Sequence, residues 1–434
     1  MKEIRLNRMM TGSQYSWLVL ILFWLIYFMN QADRQVLFSV LPLIKGELGV
    51  SDTQLGLMSS VFFWVFAILV TLAGGLGDVL SRKRLIVSAL LAWSAATTAS
   101  GIAAGFLWLV VCRAATAAGE SIYYPCASSM IGDYHGEKTR STAMAIHQTS
   151  VYTGIIVSGA LAGYIGQQYG WRSAFISFGI VGMVVAIVSS AVLREPRRGQ
   201  AEHCFDSASA ISFRERVAET FQTPTALLLT LAFLGMILVN TAYLTWTPTL
   251  LVRKFGLTLA KAGFHATFWH HIGAAAGVLA GGRLADVRAA RSLLYRPIIQ
   301  AAGLFLGAPF IFLLGWSSSK AVVYASLGLF GVFRGFYDSN LLPSLYEVIR
   351  PQSRATSTGI MIGTAFLGGG FAPLAIGWFS DRMSLDSALS GMSLCYLFSA
   401  VVIAIDCALF FRSDALRMRA SIPGAKEASG GYEA

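Results

Sequence analysis

A chain of 434 residues that is 55% hydrophobic and 13% charged, with a mean hydropathy of +0.62, is excluded from the class of ordinary soluble domains. Twelve apolar runs of bilayer-crossing length, each ~20 residues, occupy almost all of it and leave little room for a soluble module. The net charge of +11 does not imply nucleic acid, because its distribution over the loops follows membrane topology instead: 23 of 33 Lys and Arg fall on the side of both termini, seven on the other and three inside runs. That bias predicts both termini in the cytoplasm.

In chain order, the start MKEIRLNRMMTGSQYSW is basic, then polar, and enters a helix-length run with no small-residue cleavage site, so Trp17 onward reads as a retained first span. The expected spans are 15–38, 54–77, 84–104, 106–131, 141–166 and 171–193, then 223–250, 261–283, 294–315, 320–346, 355–379 and 387–411. The first carries Asp33 and Arg34 in its far half. Charges at that depth cost several kcal/mol unless paired or watered. Two readings stay open: a salt bridge tying the span to a neighbour, or Asp33 taking up and releasing a proton while Arg34 either holds the pKa of Asp33 low in one state or contacts an anionic substrate.

The second span ends on GGLGDVLSRKR (Gly74 to Arg84), and a looser copy, GGRLADVRAAR, occupies Gly281 to Arg291. Asp78 and Asp286 stand 208 residues apart, which implies two halves. The stretch reads as a short hydrophilic turn whose glycines let helix backbones approach closely. A second repeat supports this: Pro125, Asp133 and Arg140 recur in the same order as Pro343, Glu347 and Arg354.

On the fourth span, Arg113 and Glu120 are seven residues apart and share a face, followed by Tyr123 and Tyr124. Two turns, about 10 Å, separate them, so a direct pair cannot be assumed. On the fifth, His147, Gln148 and Tyr152 are cavity candidates, and His147 is either a near-neutral titrating group suited to proton coupling or a hydrogen-bonded structural histidine. The segment 194–222 is the linker, with an amphipathic helix around Ser212 to Thr220 near the membrane surface or a simple tether there. Asn240, Tyr243, Thr245 and Trp246 line the far half of the seventh span, with Trp246 equally suited to an interfacial aromatic belt. In the tenth, Arg334 and Asp338 pair on one face beside Tyr337 and Asn340, as structural glue or as part of a site. Arg34, Arg113 and Arg334 are balanced by Asp33, Glu120 and Asp338, so an anionic group could enter when one pair opens.

Five scattered cysteines and the trio His265, His270 and His271 lack ligand spacing, so no metal is expected. No nucleotide loop or dinucleotide fingerprint occurs, so no cofactor and no direct ATP drive are expected. The tail 412–434 is expected to be disordered.

These features resemble the major facilitator superfamily, and within it the spinster-like transporters. Asp33-Arg34 is similar to that group's first-helix pair, Gly74 to Lys83 to the superfamily's signature loop, Arg113 and Glu120 to its fourth-helix pair, and Ala242 to Pro248 to its seventh-helix end. Val79 and Ser81 depart from the loop's commonest form, while Asp78 and Arg82 remain. The resemblance implies an all-α membrane protein with twelve transmembrane helices in two six-helix pseudo-symmetric halves, 1–193 and 223–411. It implies proton-coupled secondary active transport by alternating access, not an enzyme, working as a monomer in a bacterial-type inner membrane. Coupling falls to Asp33, Glu120 and His147. Substrate contacts fall to Arg34, Arg113, Tyr123, Gln148, Tyr152, Asn240, Tyr243, Arg334, Tyr337 and Asn340. Gating falls to Gly74, Asp78, Arg82, Arg140, Asp286 and Arg354. The spinster-like resemblance implies a lysophospholipid-like substrate. The anion:cation symporters of the same superfamily, which also carry an Asp-Arg pair here, imply a sugar acid or other small organic anion. A receptor or scaffold is the competing class, and the large extramembrane domain expected of a signalling module is missing.

Overall fold

In the computed structural model residues 12–135, 139–196, 212–289 and 292–420 are described, and they are helical with no strand among them. The helices are α1 (Gly12–Leu48), α2 (Asp52–Val79), α3 (Arg82–Ser100), α4 (Phe106–Tyr134), α5 (Arg140–Tyr169), α6 (Trp171–Val192), α7 (Phe213–Gln222), α8 (Pro224–Phe255), α9 (Leu259–Ala289), α10 (Tyr295–Trp316), α11 (Lys320–Val348), α12 (Arg354–Gly369), α13 (Phe371–Arg382), α14 (Leu385–Gly391), α15 (Ser393–Leu409) and α16 (Phe411–Ala420). Every expected span holds a helix. A lipid-facing backbone has no water to bond, so apolar runs of this length close their hydrogen bonds internally. Among the described residues, eight helical stretches are long and apolar enough to cross a membrane: α1, α2, α5, α6, α8, α10, and the pairs α12–α13 and α14–α15. The remaining long helices, α3, α4, α9 and α11, hold the Arg82–Arg84 cluster, Arg113 with Glu120, the histidines of α9, and Arg334 with Asp338, which dilute their hydropathy.

Two expectations need correction. The turn expected over Gly74 to Arg84 is reduced to Leu80 and Ser81, because α2 continues through Gly74 and Asp78 to Val79 and α3 restarts at Arg82. The side chain of Asp78 lies outside the described residues. The tail expected to be disordered from 412 begins as α16, whose Asp414 carboxylate accepts the Thr225 backbone N–H of α8 at 3.1 Å. Residues 421–434 lie outside the described residues, as do 197–211 of the linker.

Packing divides the chain into two compact units: Met1–Asp206 with Ala242–Phe268 and Gly370–Leu385, and Ser207–Thr241 with Trp269–Gly369 and Asp386–Ala434. The first unit therefore takes in one end of α8, the start of α9 and all of α13. Small residues permit this packing: a Cβ on Gly159 of α5 would meet the Gly263 carbonyl of α9 at 2.9 Å. Within the same unit the α1–α2 junction is held by one carboxylate. Asp52 accepts both Arg253 Nη atoms at 2.6 Å each, Lys45 Nζ at 2.7 Å and Ser380 Oγ at 2.6 Å. Asp381 in turn caps the start of α2, accepting Thr53 N at 2.8 Å, Thr53 Oγ1 at 2.6 Å and Asp52 N at 3.0 Å.

Candidate functional site

Each unit carries a cluster of in-span charge on the helices singled out by the sequence. In the first, the adjacent Asp33 and Arg34 of α1 diverge by about 100° around the helix, so they reach different neighbours. Arg34 Nε donates to Glu120 Oε2 of α4 at 2.5 Å. Its guanidinium also sits 4.4 Å from the Phe66 ring and 5.0 Å from Phe62, both on α2. Arg113 shares Phe62 at 4.5 Å and donates through Nη1 to the Asp33 carbonyl at 3.3 Å. Asp33, Arg113 and Glu120 are 0–1% exposed. Both carboxylate oxygens of Asp33, Glu120 Oε1, and Arg113 Nε and Nη2 have no hydrogen-bond partner. Trp93 and Thr97 stand beside Asp33, yet neither Nε1 nor Oγ1 completes a bond to it. Such groups are costly to bury unpaired, about 1–3 kcal/mol each or more when charged, so the cluster is formally balanced but unsaturated.

An aromatic stack flanks it. The His147 ring lies 4.7 Å from Tyr27 at an interplanar angle of 10°. The Tyr123 hydroxyl donates its one proton to the Phe23 carbonyl at 2.6 Å, so the 2.9 Å contact with His147 Nε2 requires the histidine to be the donor. His147 is thus held by a hydrogen bond from its Nε2 to the Tyr123 hydroxyl. Gln148 is exposed, and Tyr152 half-buried.

The second unit centres on Arg334 of α11. Its Nε donates to Asp338 Oδ2 at 3.2 Å, as the i,i+4 spacing predicts, and its Nη1 donates to Asn240 Oδ1 of α8 and lies 3.3 Å from His270 Nε2 of α9. Glu120 precedes Pro125 by the same five residues as Asp338 precedes Pro343, so both units place a guanidinium-bound acid at one position of the repeat. Tyr337 and Asn340 are fully buried; Asn340 Nδ2 bonds its own helix at Phe336 O, 3.0 Å, and the Tyr337 hydroxyl has no partner. Neither joins Arg334 through a hydrogen bond shown here. Tyr243, three residues after Asn240, falls in the first unit and donates to the Ala266 carbonyl.

The gating candidates sit at helix ends. Arg82, 3% exposed, donates to Asp133 Oδ2 at 2.6 Å, Ser129 Oγ at 2.8 Å and Glu195 Oε1 at 3.0 Å. The second unit repeats the pair with Arg296, which meets Glu347 at 3.1 Å and Asp286 at 2.9 Å. Arg140 and Arg354 both reach back eight residues, to the carbonyls of Gly132 and Tyr346 at 3.3 and 2.9 Å. The cap on α3 comes from Ser81 and from Glu195, which accepts Lys83 N at 2.7 Å and Ser81 Oγ at 2.8 Å. Burial pushes the Glu195 carboxyl up, but these donors outweigh it and leave it below its ordinary 4.5. Glu219 on α7 is lowered in the same way, burial being outweighed by Arg350 and Ser353. A carboxyl lowered on folding adds stability above its ordinary value and loses it as pH falls through the lowered one. The melting temperature in detergent is therefore expected to fall on acidification below about 4.5, and Glu195→Gln with Glu219→Gln should flatten that fall. An unchanged slope in the double variant would remove both pairs from the explanation.

Sequence reasoning missed Phe62, Phe66, Asp52, Arg253, Glu195 and Arg296, and weighed His270 only as a metal ligand. Phe62 and Phe66 are four apart in an apolar run, the same pattern as core packing. Asp52 opens a helix after Lys45, a signal for a cap but not for a hub. Among the described residues no group of His, Cys, Asp and Glu is placed to hold a metal ion.

The chain resembles known carriers along most of its length. It is 27% identical over 350 residues to the probable galactarate/D-glucarate transporter GudP of Bacillus subtilis (strain 168), covering 74% of this chain and 76% of that protein. It is 26% identical to the probable L-galactonate transporter of Escherichia coli (strain K12), covering 81% and 80%, and 25% identical to protein spinster homolog 1 of Xenopus laevis, covering 87% and 76%. The fold matches the crystal structure of a bacterial homolog to human lysosomal transporter spinster, in an inward-facing and unoccupied conformation, with a TM-score of 0.79 at 23% identity over 92% of this chain and 97% of that one. The family model described as Major Facilitator Superfamily matches residues 23–373. The chain is a member of that superfamily, and so a multi-pass membrane transporter of small solutes and not an enzyme.

Proposed function

We propose that the protein is a proton-coupled symporter of a sugar acid or similar small organic anion. The observation that carries the reading is the buried, charge-balanced cluster of Asp33, Arg34, Arg113 and Glu120, in which donors and acceptors remain unmatched. An entering carboxylate could use a guanidinium, and a proton could use Asp33, which has no donor of its own. Glu120 shares the coupling role because releasing Arg34 leaves it a bare acid. Arg334 with Asn240 forms the substrate contact of the other half, and His147 and Tyr123 fix the aromatic wall. Tyr337 and Asn340, as core residues, contribute through packing unless access changes. We place the chain as twelve spans in two six-helix halves, 1–193 and 223–411, joined by 194–222, with both termini cytoplasmic and a monomer as the working unit. Arg82, Arg140, Arg354, Asp286 and the Gly74–Asp78 segment then belong to the cytoplasmic gate, and Asp52 to the opposite side.

Names of relatives favour sugar acids over lipids: galactarate/D-glucarate and L-galactonate carriers are similar at 27% and 26%. Tyr27 and Tyr124, whose rings lie against His147, suit a hydroxylated substrate, since an aromatic face can pack against a sugar-acid carbon chain. A thermal-shift comparison of D-glucarate, L-galactonate, dicarboxylates and lysophospholipids at two pH values tests this. Dose-dependent stabilisation by a sugar acid, greater at the lower pH, is the expected result. Stabilisation by lysophospholipid alone would replace the sugar-acid reading.

A further inference from the structure

Helix α7 (Phe213–Gln222) is fastened by one face and leaves another uncovered. Its start is locked by a capping box between Ser212 and Glu215, so the helix is set by its own sequence. Glu219 accepts the Arg350 backbone N–H at 3.1 Å and Ser353 Oγ at 2.5 Å, and Thr220 lies 2.7 Å from Ser357 Oγ. The polar side is therefore turned toward the protein. Phe213, Val217 and Phe221 recur every four residues and form a stripe about 80° wide beside that side. Phe213 is 73% exposed and Phe221 58%. An apolar stripe on a helix outside the spans has no packing reason to face outward.

We propose that the Phe213–Val217–Phe221 face of α7 docks onto the surface of an anionic bilayer. Continuity fixes the height: α7 ends at Gln222 and the membrane-length helix α8 starts at Pro224, so the stripe lies where the chain enters lipid. Charge fixes the lipid. Arg214 on α7 is exposed, and α16 beside it exposes Arg412, Arg417 and Arg419; the two helices share the lining of a cavity of about 450 Å³ that includes Glu215 and Arg417. Aromatic anchors flanked by arginines are the pattern of an interfacial helix that prefers acidic headgroups. Through Glu219 the surface contact reaches the α11–α12 connection.

Depth-dependent quenching tests the docking. The full-length protein, with its native cysteines replaced, carries one bimane-labelled cysteine at Phe213, Phe221 or Gln222 and is reconstituted into vesicles with acyl-chain-brominated lipid. In phosphatidylglycerol vesicles, Phe213→Cys and Phe221→Cys are expected to be quenched at least about twofold more than Gln222→Cys, and less so in phosphatidylcholine. Equal, weak quenching at all three positions would overturn the proposal, because the face would then be covered by protein or water. Quenching that is the same in both lipids would overturn its anionic preference.

Discussion

Asp33→Asn is expected to abolish uphill accumulation of substrate while leaving exchange of substrate across the membrane measurable. The side chain is fully buried on α1 and receives no hydrogen bond, so its amide replacement keeps the shape while removing the ability to carry a proton together with one negative charge of the cluster. One pH unit across a vesicle supplies about 1.4 kcal/mol per proton, a tenfold accumulation. The variant should lose that factor and settle at an inside-to-outside ratio of about one, since nothing then links substrate to the gradient. Exchange survives because the arginines that meet the anion are untouched. Unchanged accumulation in the variant would move the proton to another group, with Glu120 the first to examine by the corresponding Gln substitution.

Asp52→Asn should have the second large effect, on conformation and not on binding. Asp52 is 2% exposed and collects Arg253, Lys45 and Ser380, which draws the ends of α8 and α13 onto the α1–α2 junction. Breaking a fully buried ion pair costs about 3–5 kcal/mol, and because Arg253 is about a third exposed, solvent screening brings the cost below that range, to about 2 kcal/mol or ~30-fold in the population of the loosened junction. A cysteine at Ser60 reports it, because Ser60 is fully buried and accepts Leu374 N at 3.1 Å from α13. In the Asp52→Asn background a membrane-impermeant thiol reagent should label Ser60→Cys about 30-fold faster. Equal labelling rates would show that the hub does not hold this end closed.

The spans were legible because their apolar length admits few alternatives to a membrane helix, and the charged candidates because charge is costly there. Pairings were not. Asp33 and Arg34 are neighbours in sequence but serve different partners, and Glu120 takes Arg34 across 86 positions of chain in place of Arg113 on its own helix. Local spacing did identify Arg334 with Asp338, since an i,i+4 pair needs no knowledge of other helices. Spacing could not foresee that Asn240 would reach Arg334 while Tyr243, nearly one turn on, would bond α9 instead. Tyr337 and Asn340 looked like cavity residues for their polarity, and burial on α11 depends on the neighbours that α11 packs against. The turn over Gly74 to Arg84 was drawn too long because the glycines and the charges after them were read as one hydrophilic stretch, whereas α2 continues through the glycines to Val79 and only Leu80 and Ser81 separate it from α3.

The most direct test is uptake of D-glucarate or L-galactonate into proteoliposomes holding the purified protein under an imposed proton gradient. Uptake above the equilibrium level, collapsed by a protonophore and absent when the gradient is reversed, is the expected result. Folded protein that moves none of a broad panel of organic anions under any proton gradient would contradict it.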